Sequence, residues 1–260
     1  MAFENVIYEV VDGVATVTVN RPKALNALDR KTLEELGAAF EQAGKDPAVR
    51  ALVVTGGGEK AFVAGADIAA MSTMGSAEAR EFAGLGHRVL AQLEALPKVT
   101  VAAVNGFALG GGCELALACD LIYASEKARF GQPEVNLGLV PGFGGTQRLQ
   151  RRVGVMRAKE MILTGDAYDA AAARAMGLAL DVLPPERLLE HARAKARVVA
   201  SRGPVAVAQA KRVIQRGADL PLADGNALER QAFAELFGGA EAKEGMRAFL
   251  EKRPATWPGR

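Results

Sequence analysis

Two glutamates stand apart from the other acidic residues of this chain. Glu114 follows three consecutive glycines inside the apolar stretch NGFALGGGCELALACD (105–120), and Glu134 sits behind Pro133 in FGQPEVNLGLVPGFGGTQRL (130–149). A pair of partly buried carboxylates can hold a water molecule and shuttle protons, because burial and mutual repulsion tune their proton affinities. The glycines offer a complementary chemistry. If a strand ends near Val104 and a helix starts at Gly111, the first-turn amides lack intrahelical acceptors and lie at the positive end of the helix dipole. With no Cβ in the way, a developing oxyanion can come directly against such an amide. A second segment, KAFVAGADIAAM (60–71), again sets a glycine among small residues after a strand, where the Ala66 to Ile68 amides can turn inward. Each feature also has a plainer explanation. Glycines permit close packing, Glu114 can cap a dipole, and the bends near Gly65 and Pro133 are ordinary turn chemistry. From the residues alone both readings stand.

The elements that must position these residues follow from the patterning. Ile7 to Val11 and Val14 to Val19 are β-branched runs joined by Asp12-Gly13, which predicts an opening β-hairpin. Asp29 is placed to cap a helix with Leu33, Leu36 and Phe40 on one face, ending near Gly44, and Ala51 to Thr55 reads as a buried strand. A second helix begins at Ser76, carries Phe82, Leu85, Val89, Leu93 and Leu96 at steps of three or four, and stops at Pro97 before a strand over Val99 to Val104. Beyond Leu121 come a short strand to Ala124, another around Phe130, helices over 146–153 and 155–164, and an extended segment over 178–183. After Pro184-Pro185 the pattern turns helical, with segments at 186–201, 204–216, 221–237 and 241–252. The fold class is therefore α/β with a helical C-terminal region.

Composition narrows the function classes. The 260 residues are 50% hydrophobic and 24% charged with a formal net charge of +2, without the basic bias of a dedicated nucleic-acid binder. The N-terminus carries Glu4 and no basic segment leading into an apolar core, so no signal peptide is expected and the location reads as cytoplasmic. The longest apolar runs fall well short of the roughly 20 residues that span a bilayer. Cys113 and Cys119 lie in apolar sequence and read as buried thiols. His87 and His191 belong to no metal-spaced cluster, and neither G-x-G-x-x-G nor G-x-S-x-G is present. Arg148, Arg151, Arg152 and Arg157 form a local basic cluster, read first as a solvated helix face and otherwise as a contact for coenzyme phosphates, a neighbouring subunit or RNA.

The segments RPKALNAL (21–28), AFVAGADI (61–68), VNGFALGGGCELALACD (104–120), FGQPEVNLGLVPGFGGTQRL (130–149) and EGMRAFLEKR (244–253) resemble the crotonase (enoyl-CoA hydratase/isomerase) family, in its order and spacing over essentially the whole chain. The resemblance implies a spiral of ββα units over residues 1–197 and a helical oligomerisation region over 198–260, assembled as a homotrimer or homohexamer. It implies that Ala66 and Gly111 supply the two oxyanion-hole amides and that Glu114 and Glu134 are the catalytic glutamates, adding water to a 2-enoyl-CoA thioester. Lys23, Ala24, Ala66, Asp67, Ile68 and Ala69 would line the coenzyme A site. The expected chemistry needs no metal or redox cofactor, coenzyme A being part of the substrate. Val63 and Phe143 stand where the family often has alanine, which leaves the acyl-chain preference open. Another crotonase-type reaction, isomerisation or dehydration, is the near alternative. An RNA-binding oligomer on the same fold is the distant one.

Overall fold

The computed structural model describes residues 3–257. The opening hairpin pairs β1 (Val6–Val11) antiparallel with β2 (Val14–Val19), and Asp12 and Gly13 both take positive φ at its turn. Helix α1 (Arg30–Lys45) is capped by Asp29, whose Oδ1 accepts from the Thr32 amide at 2.7 Å; Leu33, Leu36 and Phe40 are buried as their spacing predicts. Then follow β3 (Ala51–Gly56), β4 (Ala61–Val63), the single-turn α2 (Ile68–Met71) and the long α3 (Ser76–Ala95). The central portion comprises β5 (Val99–Val104), β6 (Phe107–Leu109), α4 (Gly111–Leu117), β7 (Leu121–Ser125) and β8 (Arg129–Gly131). It continues with α5 (Gly145–Val153), α6 (Val155–Thr164), β9 (Ala167–Asp169), α7 (Ala170–Ala175) and β10 (Asp181–Leu183).

The strands form two sheets, one ordered β1-β2-β3-β5-β7-β10 and one ordered β4-β6-β8-β9. From β3 onward the chain enters the large sheet, crosses to the small one and then turns helical: β3 then β4, β5 then β6, β7 then β8. Apart from the antiparallel pairs β1/β2 and β8/β9, the ladders are parallel. This is a spiral of ββα turns. The large sheet is covered on both faces. One core gathers Phe40, Phe62, Leu115 and Phe130 between the layers; the other sets Val53, Val101 and Tyr123 under Leu188, Ala192 and Ala196 of α8 (Pro185–Ala200). Burial on two faces explains why β3 and β5 read as near-continuous apolar runs rather than alternating ones.

The pattern over 60–71, 107–109 and 167–175 gave no element, yet three of the four strands of the second sheet lie there; the fourth, β8, is the strand expected around Phe130. The strands of this sheet are three residues each, too short to show a period. Of the expected extended segment 178–183, only Asp181–Leu183 is strand, paired with β7. The C-terminal helices are α9 (Pro204–Gly217), α10 (Leu222–Phe237) and α11 (Ala240–Leu250). A buried ion pair pins α9 to the spiral: Lys211 Nζ lies 2.8 Å from Asp120 Oδ2, which also accepts from the Thr100 amide. The Trp257 indole donates to Ser201 O at 2.8 Å, docking the tail. Among the described residues no helix is long and apolar enough to cross a membrane.

Candidate active site

The glycine triplet stands where three layers meet. Gly110, at φ 48° and ψ −121°, takes a conformation that a side chain would strain, and a Cβ there would lie 2.8 Å from Glu134 Oε1. At Gly112 a Cβ would lie 1.8 Å from Val63 O, so the first turn of α4 rests directly on the backbone at the end of β4. All three glycines are thus closely packed, Gly110 against Glu134, Gly111 against Phe143 and Gly112 against Val63. The same contact brings the 63–66 segment beside Gly111. Parallel β4/β6 pairing and an isolated bridge between Leu28 and Ala66 fix its course. Among the described residues, neither the Ala66 nor the Gly111 amide donates to a protein acceptor. These two donors, from distant parts of the chain, are left without a protein partner among the described residues.

Glu114 is 1% exposed, in the first turn of α4. Its Oε1 accepts from the Phe143 amide at 2.8 Å and the Gly145 amide at 2.6 Å, at the entry to α5. No hydrogen bond among the described residues reaches Oε2, so that oxygen can meet a water. Burial pushes the Glu114 carboxyl above the ordinary range, against the pull of the two amides and of the Arg148 charge. Glu134 is half-buried at the start of a 3₁₀ turn (Pro133–Leu137). Its carboxyl is pushed up to about 7, first by burial and then by the charge of Glu114, with its own backbone amide pulling the other way. Both carboxyls thus stand above their ordinary range, and they differ in their surroundings: two backbone amides and the Arg148 charge pull Glu114 back toward its anion, whereas at Glu134 the Glu114 charge adds to the effect of burial.

Lys23 and Ala24 belong to a 3₁₀ turn (Pro22–Ala24) whose downstream loop is stitched to the 64–67 segment. The stitching bonds run from Ala64 N to Leu25 O, Leu28 N to Gly65 O and Asp67 N to Leu28 O. The turn with Lys23 and Ala24 therefore flanks Asp67, Ile68 and Ala69. Lys23, Ile68 and Ala69 are exposed, unlike Glu114. The Asp67 side chain caps α2 through Ala70 N and pairs with Arg21 at 3.1 Å; burial opposes its charge, but these partners hold the carboxyl below the ordinary range.

Several supporting residues were not singled out in the sequence. Asn26 is fully buried and donates to Gly57 O and Ala61 O, while its Oδ1 accepts from Arg21 N. Asn105 bridges Gly56 and Gly58. Gln132, also fully buried, donates to both Glu134 oxygens at 3.1 and 3.2 Å when its amide nitrogen faces them. Glu94 forms a two-pronged pair with Arg148. A polar residue inside a quoted motif was the only available signal for Asn26, Asn105 and Gln132; their partners lie far along the chain. Of the Arg148–Arg157 cluster, Arg151, Arg152 and Arg157 are exposed, as a solvated helix face requires, and only Arg148 is largely covered, although all four have partners. Arg148 binds Glu94, Arg151 binds Asp219, Arg152 donates to Cys119 O and Arg157 to Met176 O.

The family model for enoyl-CoA hydratase/isomerase matches residues 9–260. The chain belongs to that family, and its fold is the crotonase-like spiral with a helical C-terminal region. It is 48% identical to crotonyl-CoA hydratase of Syntrophomonas wolfei, over 99% of each chain. It is 49% identical to short-chain-enoyl-CoA hydratase of Clostridium acetobutylicum, over 97% of each. The crystal structure of enoyl-CoA hydratase from Bacillus anthracis superposes with a TM-score of 0.96 at 39% identity, covering 99% of this chain and 100% of that one.

Proposed function

We propose that this chain adds water across the double bond of a trans-2-enoyl-CoA thioester to give a 3-hydroxyacyl-CoA. In this reading Glu114, as the anion, takes the proton of a water whose oxygen bonds to the β-carbon, and Glu134 delivers a proton to the α-carbon. Negative charge moves onto the thioester oxygen as the β-carbon is attacked, and the Ala66 and Gly111 amides stabilise it. The observation that carries the reading is the pair of carboxylates, one gripped by two amides and one poised near neutrality, beside two amides without protein acceptors. Water addition changes no oxidation state, so the reading requires no redox cofactor, and the amides take the Lewis-acid role without a metal. Lys23, Ala24 and Ala66–Ala69 are assigned to the coenzyme A portion.

The acyl chain is read as short. The names of the Syntrophomonas and Clostridium relatives support this. A hydration assay over a chain-length series tests both statements: turnover is highest with four-carbon enoyl-CoA, and absence of hydration across the series refutes the activity. Offering 3-enoyl thioesters in parallel distinguishes hydration from isomerisation. The chain is further assigned to a homotrimer or homohexamer, with 198–260 as the oligomerising region; exposed Phe233, Phe237 and Phe249 support an apolar contact there. Two free buried thiols suit a reducing, cytoplasmic setting.

A further inference from the structure

We propose that Arg148, clamped by Glu94, is a positioning residue for Glu114, holding in place the 143–145 turn whose amides grip that carboxylate. The inference rests on the reading of Glu114 as the base. Arg148 Nε and Nη2 each donate to one oxygen of Glu94 on α3 at 2.7 Å, a parallel fork that fixes the guanidinium plane. Its remaining nitrogen, Nη1, donates inward to Phe143 O at 2.6 Å. That peptide's neighbours do the gripping: Phe143 N and Gly145 N both donate to Glu114 Oε1. Between them Gly144 sits at φ 103°, and a Cβ there would strike Arg148 Nη1 at 2.3 Å. The guanidinium thus lies over the turn.

An exposed helix-to-helix ion pair would be worth little. This one differs in its third donor, and the Arg148 side chain is 16% exposed. Its positive charge also favours the Glu114 anion. The other charged or titratable groups around Glu114 are Glu134 on the 3₁₀ turn, Cys113 on α4, Glu94 behind Arg148 on α3, and exposed His87 on α3. A Cβ on Gly144 would lie 3.4 Å from the His87 ring.

The test is kcat and KM against pH for hydration of 2-butenoyl-CoA by the full chain, in Arg148→Gln, Arg148→Lys and Glu94→Gln, with Glu114→Gln and His87→Gln as references. Arg148→Gln is expected to lower kcat at least about tenfold with KM within about threefold, and to move the acidic limb up by about one pH unit, since an opposite charge has left. Arg148→Lys keeps the charge, so its limb stays near wild type although kcat falls. Glu94→Gln frees Arg148 from its counter-charge and moves the limb the other way or not at all, again with reduced kcat; this arm decides the matter should Arg148→Gln not fold. His87→Gln leaves the limb in place. Wild-type kcat and limb in folded Arg148→Gln, or equal limb shifts of one sign in Arg148→Gln and Glu94→Gln, would overturn the inference while Glu114→Gln remained inactive. A fully active Glu114→Gln would instead overturn the reading beneath it.

Discussion

Around Glu114 and around Lys23 the chain builds the two halves of one candidate site by different means. The inner half is buried and over-determined: Glu114 is held by two amides, those amides by a turn, and the turn by an arginine fork. Gly112 meets the backbone of β4 with no room for one more carbon. The outer half is a surface assembly in which the 3₁₀ turn and α2 are joined mainly by backbone hydrogen bonds and by the Arg21 pairs to Asp29 and Asp67. Chemistry that moves protons needs groups fixed to fractions of an ångström in a dry setting. Recognition of a large ligand's polar portion needs accessible edges. The difference teaches that damage to the inner half should register in kcat or stability, and damage to the outer half in KM.

The sharpest way to break that contrast is to alter the carboxylates. Glu114→Gln and Glu134→Gln should each reduce kcat by about 10²–10⁴-fold with KM little changed, and the double variant should lose far less than the product of the two; steady-state hydration kinetics measure this. Gly112→Ala comes next, because its Cβ would press on Val63 O. A loss of about 1–3 kcal/mol or more in urea-unfolding free energy is expected from such overpacking, and an unchanged midpoint would count against the close approach.

Proton linkage sharpens the inner half without any assay of turnover. A carboxyl whose folded value is raised to about 7 binds its proton more tightly in the native state, so its contribution to stability is full at low pH and declines as pH rises from the unfolded carboxylate range toward about 7. Glu134→Gln removes that penalty: its melting temperature should exceed wild type at pH 8, and the gain should vanish by pH 4. The smallest effect is expected at the rim. Lys23→Ala should raise KM by about two- to fivefold at constant kcat, as loss of one exposed contact does; a comparable loss in kcat would show that the two halves are not separable.

Much of the frame was legible beforehand for identifiable reasons. The hairpin carries a clear turn signal, α1 and α3 carry long periods with firm caps or stops, and β5 is a continuous apolar run behind Pro97. Gly110 to Gly112 and the two glutamates were visible because three glycines beside an isolated carboxylate are unusual in apolar sequence. Of the small sheet only β8, around Phe130, was legible, since three residues make no period. Gln132, Asn26, Asn105 and the Glu94 clamp escaped for a different reason. A polar residue is marked as a fastener only once its partner is known, and Arg148 lies 54 positions from Glu94. The same limit made Arg148 look like part of a solvated basic face.

By itself the sequence determined the family, the α/β class, the helical end and the residue types able to carry out acid and base chemistry, because those depend on local pattern and on motifs read in order. Only the tertiary structure decided which oxygen of Glu114 is held and which is open, why Glu134 is poised near neutrality, and which amides lack an acceptor. Those properties arise from desolvation and from donors on other elements, and neither exists until the spiral has closed.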